Sequence, residues 1–108
     1  MAGWEVRLAE VAERDFRSIL AWSVERFGAA QARRYRDMLV GALASLTGGP
    51  MALNSKARED IAAGLRSLHI GGRGRHVLFF RPSGDNVIMV LRILHDAMDV
   101  ARHIPPRD

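Results

Sequence analysis

The sequence predicts an α+β domain: an N-terminal strand, an antiparallel helix hairpin, a three-stranded antiparallel meander and a short C-terminal helix. Three observations predict it. Apolar residues alternate at the start, where Trp4, Val6 and Leu8 point one way and Glu5 and Arg7 the other. They then recur at helical spacing over two segments divided by Gly28. Beyond Pro50 they return to short apolar runs broken by Gly, Pro, Ser and Asp. One sheet with helices packed on a face is the layer arrangement this order produces. A chain of 108 residues with no internal repeat fits one domain, residues 1–108, around one modest core.

The first strand is expected over Trp4–Ala9. A helix from about Ala12 to Phe27 follows, with Phe16, Ile19, Leu20, Ser23 and Phe27 on one face. Gly28 is placed to end it in a left-handed cap. A second helix runs from about Ala29 to Leu46 with Ala32, Tyr35, Leu39, Ala42, Leu43 and Leu46 facing the core, until Thr47-Gly48-Gly49-Pro50 stops it. The short break makes the two helices an antiparallel hairpin. Residues 51–64 read as an exposed connection in which Ser55 caps a short helical turn through Ile61. Strands are then expected over Leu65–Ile70, Arg75–Arg81 and Asn86–His95, joined by turns at 71–74 and 82–85. Val87–Leu91 is apolar at every position, which marks a central strand covered on both faces. Asp96 can cap a last helix over Ala97–His103.

Composition narrows the function classes. No cysteine is present, which excludes disulfides and thiolate metal sites and fits a reducing compartment. Glu5, Arg7 and Glu10 interrupt any signal-peptide apolar region, and no apolar run approaches the roughly 20 residues that span a bilayer. A cytoplasmic location and no membrane partner are therefore expected. The formal charge is +4, and 15 of the 16 basic residues are arginine, Lys56 being the exception. Arginine suits bidentate contact with carboxylate or phosphate, so the partner classes are an acidic protein or nucleic acid.

Closing both meander turns with even-numbered loops sets Ile70 opposite Arg75 and Arg81 opposite Asn86. In that register Leu65, Ser67, His69, His76, Leu78, Phe80, Val87, Met89, Leu91 and Ile93 form the face under the helices. Arg66, Leu68, Ile70, Arg75, Val77, Phe79, Arg81, Ile88, Val90, Arg92 and Leu94 form the other. The four strand arginines thus share a face with Phe79 and Val77, an amphipathic surface suited to a folding peptide. Arg75 falls opposite Arg92, a repulsive pair that needs an anion. Either Glu5 of the first strand or an external carboxylate or phosphate supplies it. With an external anion, Arg92→Leu is expected to stabilise the free chain; with Glu5 as partner, the opposite. Trp22, at the flank of the first helix's apolar stripe, either covers the core edge or meets a partner.

The meander also carries a resemblance. Gly64-Leu65-Arg66-Ser67, then Arg75-His76-Val77-Leu78-Phe79-Phe80-Arg81, then Val90-Leu91-Arg92-Ile93-Leu94-His95, followed by Met98-Asp99 and Arg102-His103, resembles the ParE branch of the ParE/RelE toxin superfamily. The preceding strand and helix hairpin match the family order. The resemblance implies the toxin of a type II toxin–antitoxin pair, plasmid- or chromosome-borne. It would be held in a hetero-oligomer by a ParD-like antitoxin and would inhibit DNA gyrase by binding, without cofactor or catalytic residue. The partner-binding residues on that reading are Arg66, Arg75, Val77, Phe79, Arg81, Arg92 and Trp22. Relatives of the RelE type instead cut mRNA on the ribosome. For that alternative the candidates are Arg75, Arg81, Arg92 and His95, but a nuclease also needs an acid and a base near its cations, and the arginine face carries neither.

Two further patterns are read as structural. His95, Asp99 and His103 are spaced by four, yet His95 ends a strand, so the ladder is not helical throughout and no metal site is expected. His69 and His76 are expected to face each other across the first hairpin. Gly71–Gly74 lacks the lysine of a phosphate-binding loop and reads as a turn.

Overall fold

The computed structural model describes residues 3–70, 75–95 and 100–104. Strand β1 (Glu5–Leu8) leads into helix α1 (Glu10–Phe27). Helix α2 (Ala29–Ser45) follows and closes in a 3₁₀ turn at Leu46–Gly48. Strands β2 (Lys56–Ala57), β3 (Arg66–His69), β4 (His76–Pro82) and β5 (Val87–His95) complete the sheet, and Val100–Arg102 form a final 3₁₀ turn. The expected α+β architecture is present. The sheet order is β1-β5-β4-β3-β2, with β1 parallel to β5 and every other pair antiparallel.

Local chemistry accounts for the hairpin. Glu10 and Glu13 sit in the first turn of α1 and Arg26 in its last, each complementing the helix dipole. Gly28 ends α1 by donating its N–H to the Val24 carbonyl, and its own carbonyl accepts the Ala32 N–H to begin α2. It holds φ +88° with ψ 168°, a positive φ as expected but with extended rather than left-handed-helical ψ. Ala12, Ile19, Ala32, Leu39 and Leu46 are buried, and Phe16, Leu20, Tyr35 and Leu43 pack at the core edge. Phe27, expected on the buried stripe, is 58% exposed at the hairpin tip.

The meander register differs from the expected one. Leu68 pairs with Leu78 and His69 with Val77, and the Ile70 N–H donates to the His76 carbonyl. The connection is therefore one residue longer than an even loop. At the second turn the Ser83 N–H donates to the Val87 carbonyl, leaving a three-residue loop in which Gly84 and Asn86 take positive φ. Between Phe79 and Phe80 the β4–β5 register slips, because β5 carries a bulge at Leu91.

A one-residue slip moves every side chain to the other face. Leu78, Phe80 and Ile93 lie beneath the helices as expected, and Leu68, Ile70, Ile88 and Val90, expected on the other face, join them there with Val6 and Leu8. Burial explains the choice: this register places Leu68 and Ile70 in the core, where the even-loop register would have placed Ser67 and His69. The opposite face forms a second cluster of Leu65, Val77, Phe79, Leu91 and Leu94, covered by Ile61, Ala62, Val100 and Ile104. β5 is thus covered on both sides, as its uninterrupted apolar run predicted.

Three other expectations are corrected. His76 pairs with His95, and His69 lies opposite Val77 rather than His76. Arg92 pairs with Phe79, so Arg75 and Arg92 are not opposed. Ser55 caps no helical turn; it donates to the Pro50 carbonyl and accepts from Arg66 Nη2, and an edge strand follows it. The expected turn at 71–74, the Asp96 cap, and Met98 and Asp99 fall outside the described residues.

Candidate functional site

The arginines expected on one face are dispersed. Arg92 leaves β5 at the bulge and reaches α1, where Nε and Nη2 donate to the two carboxylate oxygens of Asp15 at 2.8 and 2.9 Å. Asp15 Oδ2 also accepts the Ile93 amide at 3.0 Å, and Arg92 Nη1 lies 3.4 Å from the His103 carbonyl. The two side chains are only 19% and 15% exposed. The Asp15 hydrogen bond raises the Arg92 guanidinium further above its ordinary pKa, against the opposing effect of burial. Glu5, the acid the sequence offered, is paired with its neighbour Arg7 instead, which lowers the Glu5 carboxyl below its usual value.

Arg81 shares the second face with Phe79, and its Nη1 is buried without a hydrogen-bond partner. Arg66 lies on the helix side, opposite Phe80, with Nε buried and unpartnered and Nη2 on Ser55 Oγ at 2.9 Å. Val77 and Phe79 are buried within the chain itself. Phe79 is capped by the Arg58 guanidinium 5.9 Å from its ring centre, and Arg58 in turn holds Asp60 through Nε and Nη2, each at 3.1 Å. A partner could touch Val77 or Phe79 only by displacing these covering groups.

The residue types that sequence reasoning sought on the arginine face gather on the other one. The Tyr35 hydroxyl of α2 and His76 Nδ1 of β4 are 2.7 Å apart. The His76 and His95 rings meet edge to face, with centroids 5.6 Å apart. This happens because Tyr35 sits on the inner face of α2 while His76 and His95 are cross-strand partners on the helix side of the sheet. A cavity of about 390 Å³ opens beside them, lined by Trp22, Ser23, Arg26, Phe27, Gln31, Tyr35, Arg75 and His76. Trp22 is 45% exposed; its ring meets Phe27 edge-on at 5.6 Å and carries Arg26 at 5.8 Å. Of the residues considered for an endonuclease, Arg75 and His95 lie near this cavity, whereas Arg81 and Arg92 lie on the opposite sheet face. The four do not form one site.

Two features escaped sequence reasoning. Asp15 lies between Ala12 and Phe16 on the inward stripe of α1, and an acid on that stripe was the available signal. The Tyr35–His76 contact joins a tyrosine expected on the core-facing stripe of the second helix to a histidine expected on the sheet face beneath the helices, but nothing in the sequence paired the two. No group of three or more His, Asp or Glu among the described residues is placed to hold a metal ion. No helix among them is long and apolar enough to cross a membrane.

Comparison with known proteins adds a further finding. Residues 6–100 match the family described as the ParE toxin of the type II toxin–antitoxin system parDE. The chain is 32% identical over 97 residues to toxin ParE1 of Mycobacterium tuberculosis, covering 90% of this chain and 94% of the relative. It is 29% identical over 100 residues to toxin ParE of Escherichia coli, covering 93% and 92%. Among solved structures, a chain of a chromosomal ParDE toxin–antitoxin system from P. aeruginosa superimposes with a TM-score of 0.70 at 23% identity, over 85% of this chain and 95% of that one.

Proposed function

The chain belongs to the ParE family of type II toxin–antitoxin toxins, and from that premise we propose that a ParD-like antitoxin neutralises it and that, when free, it inhibits DNA gyrase by binding. On this reading it acts in the cytoplasm, within a toxin–antitoxin hetero-oligomer when neutralised, and needs no cofactor. The observation that carries it is the set of large apolar side chains that the helix hairpin leaves exposed. Val11, Trp22, Val24 and Phe27 of α1 and Met38 and Val40 of α2 are all exposed. The same helices carry Arg14, Arg17, Arg26, Arg33, Arg34 and Arg36. An amphipathic peptide with apolar anchors and carboxylates complements such a surface. The sheet face contributes less than the sequence suggested, since Val77 and Phe79 are already covered and Arg92 is held by Asp15.

Binding rather than catalysis is favoured because the residues considered for an endonuclease do not converge: Arg75 and His95 lie by the hairpin cavity, whereas Arg81 lies on the other sheet face and Arg92 is held by Asp15. The test is to purify the chain free of antitoxin and assay gyrase-mediated DNA cleavage beside mRNA cleavage on ribosomes. Stabilised gyrase cleavage that added antitoxin abolishes is the expected result. Ribosome-dependent mRNA cleavage with gyrase unaffected would overturn the reading.

A further inference from the structure

The cavity between the hairpin tip and β4 has a lining that neither the core nor the hairpin surface explains. Trp22 offers nearly half of its surface to solvent, although a tryptophan gains more than almost any other side chain by burial. Arg26 and Arg75 both line the cavity, and among the described residues neither is paired with a carboxylate. Among the described residues no acidic one lines it. Beside the apolar ring of Phe27, the remaining lining offers groups able to donate and accept hydrogen bonds: Ser23, Gln31, Tyr35 and His76. Tyr35 and His76 fix each other through their 2.7 Å contact, so that part of the wall is set before any ligand arrives.

An aromatic platform, two guanidiniums and a preset polar wall select for a planar ring with polar edges that carries an anionic group. We propose that this cavity binds a 5′-mononucleotide, with its base against Trp22 and its phosphate held by Arg26 and Arg75. Base–aromatic stacking and guanidinium–phosphate pairing are the two interactions those groups make best. The volume of about 390 Å³ lies in the range of small-ligand sites, toward its lower end. Trp22, Arg26 and Phe27 also belong to the hairpin surface proposed to meet an antitoxin, so binding is measured on the chain free of antitoxin.

Calorimetric titration of the full chain, free of antitoxin, with 5′-AMP, adenosine and inorganic phosphate tests the proposal. Saturable binding of AMP is expected, with adenosine and phosphate each weaker by about tenfold or more, since each keeps only one of the two interactions. Trp22→Ala and Arg75→Ala should each weaken AMP by about tenfold. Arg17→Ala, in a groove elsewhere on the hairpin, should leave it unchanged. Arg75 is an exposed residue outside the strands, so its replacement decides the matter even if Trp22→Ala fails to fold. No AMP binding at millimolar concentration, phosphate binding as tightly as AMP, or a folded Arg75→Ala chain with wild-type affinity overturns the proposal.

Discussion

Asp15 of α1 grips Arg92 of β5 with both carboxylate oxygens while accepting the Ile93 amide, so a single side chain fastens the first helix to the central strand. Both partners are mostly withdrawn from water. Removing one leaves the other buried without its counter-charge, which costs about 3 kcal/mol in such a setting. Arg92→Leu should therefore destabilise the free chain and lower its melting temperature by roughly 10 °C or more. This reverses the stabilisation expected had Arg92 faced Arg75. Antitoxin affinity, corrected for the unfolded fraction, should change little. A melting curve and one binding isotherm for the variant decide between the two outcomes.

Asp15→Asn tests the same contact from the other side. The amide keeps the shape and can still accept the Ile93 N–H, but it loses the charge. Its loss should be smaller than that of Asp15→Ala, and Asp15→Ala combined with Arg92→Leu should be much less destabilised than the sum of the singles. Additive behaviour in urea unfolding would show that the pair is not coupled.

Phe79 lies fully buried in the second cluster, beneath Arg58. Phe79→Ala should cost about 3–5 kcal/mol. Leu53→Ser, at an exposed position, should stay within about 0.5 kcal/mol of wild type. If Phe79 served chiefly as a partner anchor, its replacement would spare stability and abolish binding, an outcome chemical denaturation would reveal at once.

Gly28 serves both helices from a positive φ, and a Cβ added there meets nothing within 4 Å. The cost of Gly28→Ala is then conformational alone, about 1–3 kcal/mol, with no steric contribution. Restoring glycine should restore the melting temperature in full. An unchanged melting temperature in the alanine variant would mean that the hairpin tip relaxes freely.

His95 meets His76 edge to face at the end of β5, away from Arg81 and Arg92. If toxicity is binding, His95→Gln should still arrest growth when expressed without antitoxin. A folded His95→Gln chain that binds antitoxin normally yet has lost toxicity would instead favour the endonuclease reading.

The elements of this fold were readable because their periodicities are strong: alternation in β1, a helical stripe on each side of Gly28, an unbroken apolar run in β5. Register was less accessible. The even-loop assumption moved Leu68 and Ile70 out of the core. Asking which register buried Leu68 and Ile70 rather than Ser67 and His69 would have corrected it. The bulge at Leu91 left no local mark, since Val90 and Leu91 read equally well on either face. Arg92 was recognised as needing an anion, but its partner Asp15 is remote in sequence and visible only as an acid on an otherwise apolar stripe. Tyr35 and His76 were each expected between helices and sheet, but the pairing of His76 with His95 follows from the observed register and could not be placed before it.

The parallel pairing of β1 with β5 has a consequence for the order of assembly. The hydrogen-bonding edge that β1 requires belongs to Val87–Val90, among the last parts of the described chain to be synthesised. The helix hairpin can condense early from local contacts, but β5, the strand between β1 and β4, arrives after both of its neighbours. Until then β1 has no strand to pair with, and the inner faces of both helices meet only the part of their floor that β3 and β4 supply. The sheet of a nascent chain therefore cannot close around β1 until β5 emerges, so the first strand made is among the last to be locked in place.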